Sequence, residues 1–143
     1  MSTRGLASEA TATADWGKLV LRVSLGALIL LHGIAKVTSG PALVTGLMAK
    51  SGLPPALGYL VYVGEVAAPL LLIIGLWTRP AALVVAITMV VAILLVHAGD
   101  ILKIGKSGGW AIELQGMFLF AAVAVALLGA GRLSLGGRYG RWN

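Results

Sequence analysis

Hydrophobic positions in this chain fall into four long runs that are separated by short polar segments. The runs predict membrane spans at residues 17–37, 56–77, 80–97 and 110–130. A helix rises about 1.5 Å per residue, so a run of about 20 residues crosses the roughly 30 Å hydrocarbon core of a bilayer. The pattern therefore predicts an all-α, integral membrane four-helix bundle.

The polar segments divide the chain into three parts. Residues 1–15 are rich in Ser, Thr and Ala and are predicted to be disordered, residues 16–135 to form the four-span domain, and residues 136–143 to be a basic tail. Between the first two spans, residues 42–50 place four apolar side chains on one face: Leu43, Val44, Leu47 and Met48. This segment is predicted to be a short helix that lies in the membrane interface or caps the bundle.

Composition agrees with a membrane protein and excludes several kinds of site. Only 11% of the residues are charged, against about 25% in soluble domains, and mean hydropathy is +0.98. The absence of cysteine excludes disulfides, iron–sulfur ligation and cysteine-ligated zinc. We assign the net charge of +6 to interfacial lysines and arginines that contact lipid, and expect no nucleic-acid partner.

The first span is unusual because it carries Arg22, His32 and Lys36. A charged side chain at the centre of a span costs about 2.5–3.5 kcal/mol, so a simple anchor helix would not contain three such residues. His32 and Lys36 are four residues apart and share one helix face. Arg22 lies toward the opposite leaflet, where we expect it to snorkel outward.

The second span carries Glu65 four residues before Pro69. Proline has no N–H, so the carbonyl of Glu65 loses its helical partner and the helix should bend. Both the carboxyl group and the freed carbonyl should then face protein or water rather than lipid.

Ionisable side chains from all four spans are predicted to meet in one leaflet, and we call this set the polar layer. Its members are His32, Lys36, Glu65, His97 and Glu113. Lys36 is expected to pair with Glu65 or Glu113, and the histidines to exchange protons or donate hydrogen bonds. Either a ligand-binding site or a clasp that fixes helix register fits this layer. We predict no catalytic residues and no metal site.

Three motifs resemble the DoxX family of four-span bacterial membrane proteins. The first motif contains Arg22, His32-Gly33 and Lys36. The second contains Gly64-Glu65, Pro69 and the run 75–80 (G-L-W-T-R-P). The third is the run 129–135 (G-A-G-R-L-S-L). The resemblance implies an inner-membrane bundle in which these positions and Glu113 are characteristic. An acidic residue commonly follows the third motif in the family, whereas Gly136 stands here.

The resemblance also implies a redox context. The relatives that give the family its name belong to a thiosulfate:quinone oxidoreductase, and others are linked to oxidative-stress complexes with soluble enzymes. We expect a quinone-linked membrane subunit that is not an enzyme by itself and needs a partner redox protein. The alternative is a non-catalytic accessory subunit of a larger respiratory, photosynthetic or stress-response complex. Haem b held by His32 and His97 is disfavoured, because Lys36 and two carboxylates would crowd it.

The distribution of basic residues predicts the orientation. One side carries Arg4, Lys18, Arg79, Arg132, Arg138 and Arg141, and the other carries Lys36, Lys50, Lys103 and Lys106. The positive-inside bias places both termini in the cytoplasm.

Overall fold

The computed structural model describes residues 3–137 and 139–143, with side chains from residue 9 onward except residue 138. Within this part of the chain the fold is all-helical, as predicted, and has five helices. They are α1 (Thr3–Ser39), α2 (Ala42–Lys50), α3 (Pro55–Ile74), α4 (Thr78–Val96) and α5 (Glu113–Leu128).

Helix α3 is not uniform along its length. It begins with a 3₁₀ turn at Pro55–Tyr59, continues through an α-helical turn at Leu60–Tyr62 and a π-helical turn at Val63–Ala67, and ends as an α-helix at Ala68–Ile74. The irregularity lies just before Pro69, where a regular hydrogen-bond ladder cannot continue.

Three helical segments are long and apolar enough to cross a membrane: Glu9–Ser39, Pro55–Ile74 and Thr78–Val96. Helix α5 is equally apolar but shorter, at 16 residues. No more than 33% of any of the three membrane-length windows is buried inside the protein, which leaves broad apolar faces for lipid. The chain is a multi-pass membrane protein.

The four long helices form a ring in which α1 packs on α3 and α5, and α4 packs on the same two helices. The core between them is made of these residues: Leu25, Ile29, Ala68, Leu72, Ala81, Ala82, Val85, Ala86, Met89, Phe118, Ala122 and Val125. Small alanine side chains allow the helices to approach closely, which favours packing inside a bilayer.

Helix α1 begins earlier than we expected. Residues 1–15 were predicted to be disordered, whereas the helix starts at Thr3; Met1 and Ser2 lie outside the described residues. Alanine has the highest helix propensity and recurs through 10–14. The buried Asp15 also anchors the segment, since its Oδ2 accepts a 2.6 Å hydrogen bond from Arg132 Nε.

Residues 129–137 and 139–143 fold back over the short link between α3 and α4. The backbone N–H of Arg79 donates to the carbonyl of Trp142 at 3.0 Å, and Asn143 Oδ1 accepts from the N–H and hydroxyl of Thr78 at 3.2 Å each. We call this end of the bundle the tail end. The opposite end, with α2 and the connection from α4 to α5, is the loop end.

Candidate functional site

A cavity of about 660 Å³ lies at the loop end, and residues of all five helices line it. Its polar lining residues are His32, Lys36, Glu65, Thr88, His97 and Gln115, and nearly all the other lining residues are apolar. Four of the five predicted members of the polar layer therefore share one cavity.

Lys36 and Glu65 form an ion pair in the wall of the cavity, which confirms one of the two predicted pairings. The Glu65 side chain is 6% exposed and that of Lys36 32%, so the carboxylate is the buried partner. Beside the pair, the Tyr62 hydroxyl donates a 3.3 Å hydrogen bond to the carbonyl of Lys36. This bond links the start of α3 to the last turns of α1.

Two glycines explain how the π-helical turn holds Glu65 in place. A Cβ on Gly33 would overlap the Glu65 carbonyl oxygen, so α1 and α3 touch backbone to backbone there. A Cβ on Gly64 would overlap the hydroxyl of Thr88 on α4. The expectation that the carbonyl released by Pro69 faces protein is confirmed, because it lies against Gly33.

The two histidines lie on different walls of the cavity. The His32 ring meets the Phe118 ring edge to face, with centroids 5.9 Å apart and planes at 72°. His97 Nε2 lies 3.1 Å from Gln115 Nε2, and its Nδ1 lies 3.8 Å from Asp100 Oδ2. With the amide nitrogen of Gln115 as donor, His97 Nε2 accepts and its Nδ1 proton points toward Asp100.

Asp100 lies outside the membrane spans, at the start of the connection between α4 and α5. A hydrogen bond from Lys103 Nζ, together with the positive charge of that lysine, holds the pKa of the Asp100 carboxyl below its ordinary value. Asp100 is therefore a partly exposed carboxylate that lies 3.8 Å from His97 of the cavity wall.

Glu113 does not join the cavity, which corrects our prediction for the polar layer. It is exposed, and its Oε2 lies against Gly109 of the preceding loop. Glu113 opens α5, where the helix dipole favours a negative charge. Residues two positions apart point to nearly opposite sides of a helix, so Gln115 faces the cavity instead.

Sequence reasoning did not select Gln115, Phe118 or Thr88 as site residues. Gln115 and Phe118 are three residues apart and share the face of α5 that lines the cavity. A glutamine inside an apolar run is costly in lipid, and that signal could have identified it.

Arg22 has a different role from the one we predicted. Arg22 is 2% exposed, so its side chain does not snorkel outward. Its Nη1 donates to the carbonyls of Leu72 at 2.7 Å and Ile73 at 2.6 Å, and its Nη2 donates to the carbonyl of Leu133. The last carbonyls of a helix lack partners within it and attract a cation. Arg22 thus caps the end of α3 and belongs to the tail end, away from the cavity.

Gly75 makes room for this cap. It has φ +72°, and a Cβ there would come within 2.9 Å of the Arg22 guanidinium carbon. Leu135 N–H then donates to the Ile74 carbonyl at 3.1 Å, and Gly136 N–H to the Gly75 carbonyl at 3.0 Å. Arg22 of the first motif, Gly75 of the second and Leu133 and Leu135 of the third therefore meet at the tail end, whereas His32, Lys36 and Glu65 lie at the loop end.

Helix α2 forms one wall of the cavity. The four residues that we placed on one face, Leu43, Val44, Leu47 and Met48, all line it. This arrangement indicates that α2 caps the bundle and does not lie free in the membrane interface.

Comparison with known proteins gives two matches. A sequence model of the DoxX family matches residues 17–98, which include Arg22 and the four members of the polar layer that line the cavity: His32, Lys36, Glu65 and His97. An uncharacterized protein of Haemophilus influenzae is 29% identical over 123 residues, which cover 83% of this chain and 87% of that protein. No solved structure matches the chain.

Proposed function

This chain belongs to the DoxX family, and we propose that it is a quinone-linked membrane subunit whose cavity binds the quinone headgroup. The observation that carries the proposal is the polar wall of Lys36, Glu65 and His32 in a cavity that is otherwise mostly apolar. Most small-molecule sites have this character, with few polar groups that orient a largely apolar ligand.

The distribution of donors in the cavity suits a quinone ring. A quinone carries two carbonyl oxygens on opposite edges of the ring, and each accepts hydrogen bonds. Lys36 and His32 offer donors from α1, while Gln115 on α5 has a second amide N–H besides the one that it donates to His97. The volume of about 660 Å³ lies within the roughly 300–1,000 Å³ of typical ligand sites.

Some cavity residues would orient the quinone headgroup and others would exchange protons with it. Lys36 is held by Glu65 and would orient one carbonyl oxygen through a charge-assisted hydrogen bond. His32 and His97 would exchange protons with the bound headgroup. When bound, a quinone supplies two-electron, two-proton redox chemistry. A partner redox protein would deliver or remove the electrons.

The Lys36–Glu65 pair also supports a second candidate function. A buried ion pair between α1 and α3 can act as a clasp that fixes helix register in an accessory subunit of a larger complex. A clasp needs only those two residues. It does not require His32, His97 and Gln115 to line the same space.

We further propose a bacterial inner-membrane location with both termini in the cytoplasm. The tail end holds Lys18, Arg79, Arg132 and Arg141, of which Arg132 pairs with Asp15. The loop end holds Lys36, Lys50, Lys103 and Lys106, of which Lys36 pairs with Glu65 and Lys103 with Asp100. Among the described side chains, the larger number of basic residues outside ion pairs at the tail end supports this orientation. Arg4 and Arg138, which we assigned to the tail side, lie outside the described side chains. Reporter fusions at Asn143 test the orientation: activity of a cytoplasmic reporter supports it, and activity of a periplasmic reporter contradicts it.

An organic extract of the purified protein tests the proposed function. We expect native protein to carry more quinone per mole than an unrelated four-span membrane protein purified in parallel. His32→Leu should lower this ratio while the protein stays folded, since it removes a polar group of the cavity and keeps its apolar bulk. Equal ratios in all three samples would contradict quinone binding and favour the accessory role.

A further inference from the structure

Residues 41–59 form a unit that is distinct from the four-helix ring, and we call it the flap. It consists of α2 and the 3₁₀ turn at Pro55–Tyr59, which pack mainly on each other. The contact between them is close: a Cβ on Gly58 would lie 3.0 Å from the backbone nitrogen of Thr45. The two pieces are therefore held together as one body.

The flap joins the ring through two irregular segments. At its start, Gly40 has φ +80° and no atoms crowd the position of a Cβ, so little opposes a change of backbone angle there. Just past its end comes the π-helical turn at Val63–Ala67. Turns of this kind are common points of helix bending and cluster at functional sites.

The space beneath the flap is apolar on both sides. The flap contributes its leucines, Val44 and Met48, and α4 contributes Ile87, Val91, Leu94 and Leu95 across the cavity. At the rim, Leu43 is 70% exposed and Ile87 62% exposed. An apolar rim of this kind favours a route for ligands from the lipid rather than from water.

We infer that the flap is a movable wall, and that an amphiphile dissolved in the membrane passes between the flap and α4 into the cavity. Its polar head would lie at the Lys36–Glu65 pair and its apolar tail beneath the flap. This inference rests on the proposed function for the identity of the head, and it adds the requirement for a tail and the route. The hydrogen bond from the Tyr62 hydroxyl to the carbonyl of Lys36 lies beside the π-helical turn, and in this inference it holds the flap closed.

Distances between spin labels test the movement of the flap. The chain has no cysteine, so labels can be attached to introduced cysteines alone. The flap pair is Ala49→Cys with Met117→Cys, and the control pair within the ring is Leu31→Cys with Met117→Cys. None of these three positions lines the cavity.

For ligand-free protein in lipid nanodiscs, we expect the flap pair to show two distance populations and the control pair one. A long-tailed quinone should shift the flap pair toward the shorter population and leave the control pair unchanged. Tyr62→Phe should increase the longer population, whereas Tyr59→Phe on the neighbouring, more exposed tyrosine should not.

The outcomes separate this inference from the proposed function. A single narrow distance for the flap pair, unchanged by quinone and by Tyr62→Phe, would refute the flap even if quinone is retained. Two populations in a protein that retains no quinone would refute quinone as the ligand and support the flap, with a membrane lipid as its occupant.

Discussion

Replacing Lys36 by methionine tests the energetics of the ion pair in the cavity wall. The substitution keeps most of the apolar stem and removes the charge, which leaves the Glu65 carboxylate without its partner. Breaking a buried pair from one side costs about 3–5 kcal/mol. Lys36 is 32% exposed, so water screens part of the interaction, and we expect about 3 kcal/mol.

Removing both charges should restore most of the lost stability. Two methionines of similar volume fill the site without a buried charge, and such replacements often leave the free energy of unfolding nearly unchanged. The double variant Lys36→Met/Glu65→Met should therefore lie within about 1 kcal/mol of native protein. Lys36→Met combined with Glu113→Met should show no recovery, because the carboxylate of Glu113 lies outside the cavity.

Thermal unfolding in one detergent measures all of these variants. For a chain of this length about 1 kcal/mol corresponds to about 2–4 °C, so Lys36→Met should lower Tm by about 6–12 °C. The matched cycle uses Lys103 and Asp100, which are 2.9 Å apart and far more exposed. Its coupling energy should be far smaller than that of the Lys36–Glu65 pair, because water screens exposed charges. If the effects of Lys36→Met and Glu65→Met simply add, the reasoning is wrong.

Two further predictions concern the packing around the site. Arg22→Met should lower the free energy of unfolding by about 3 kcal/mol, because three backbone carbonyls lose a charged donor. Arg79→Met, which loses one exposed bond to the Asn143 carbonyl, is the control. An equal effect of both changes on Tm would contradict the capping role. Gly33→Ala should destabilise the protein and reduce bound quinone, because the added Cβ would overlap the Glu65 carbonyl. Gly46→Ala is the control: its added Cβ meets no atom within 4 Å, so the change should be neutral or stabilising. A stable Gly33→Ala variant with native quinone content would show that this contact does not position Glu65.

The sequence was most informative at residues whose burial in lipid costs free energy. Burying a charge in lipid is expensive, so Lys36 and Glu65 had to have partners. Depth alone left Glu65 and Glu113 as alternatives for Lys36, and the structure pairs it with Glu65. The proline rule likewise indicated where α3 departs from regular geometry. Span length and hydropathy were sufficient for the helical fold.

Other features depended on tertiary contacts that a linear pattern does not contain. The depth of Arg22 in the membrane could be predicted, but its partners could not. They are carbonyls of α3 and of residue 133, far along the chain. Glu113 and Gln115 lie at similar depths and differ only in helix phase, which depends on where α5 begins. The helical start of α1 similarly depends on Asp15 and Arg132 meeting across the fold.

The affinity of the Glu65→Gln variant for a labelled long-tailed quinone tests the central claim most directly. Titration into protein in nanodiscs, with Glu113→Gln as the matched control, compares the same substitution inside and outside the cavity. Losing one charge-assisted interaction costs about 1.5–3 kcal/mol, so Glu65→Gln should weaken Kd by about 10-fold or more. Glu113→Gln should bind like native protein. Identical Kd values for native protein and both variants would contradict a quinone site at the Lys36–Glu65 pair.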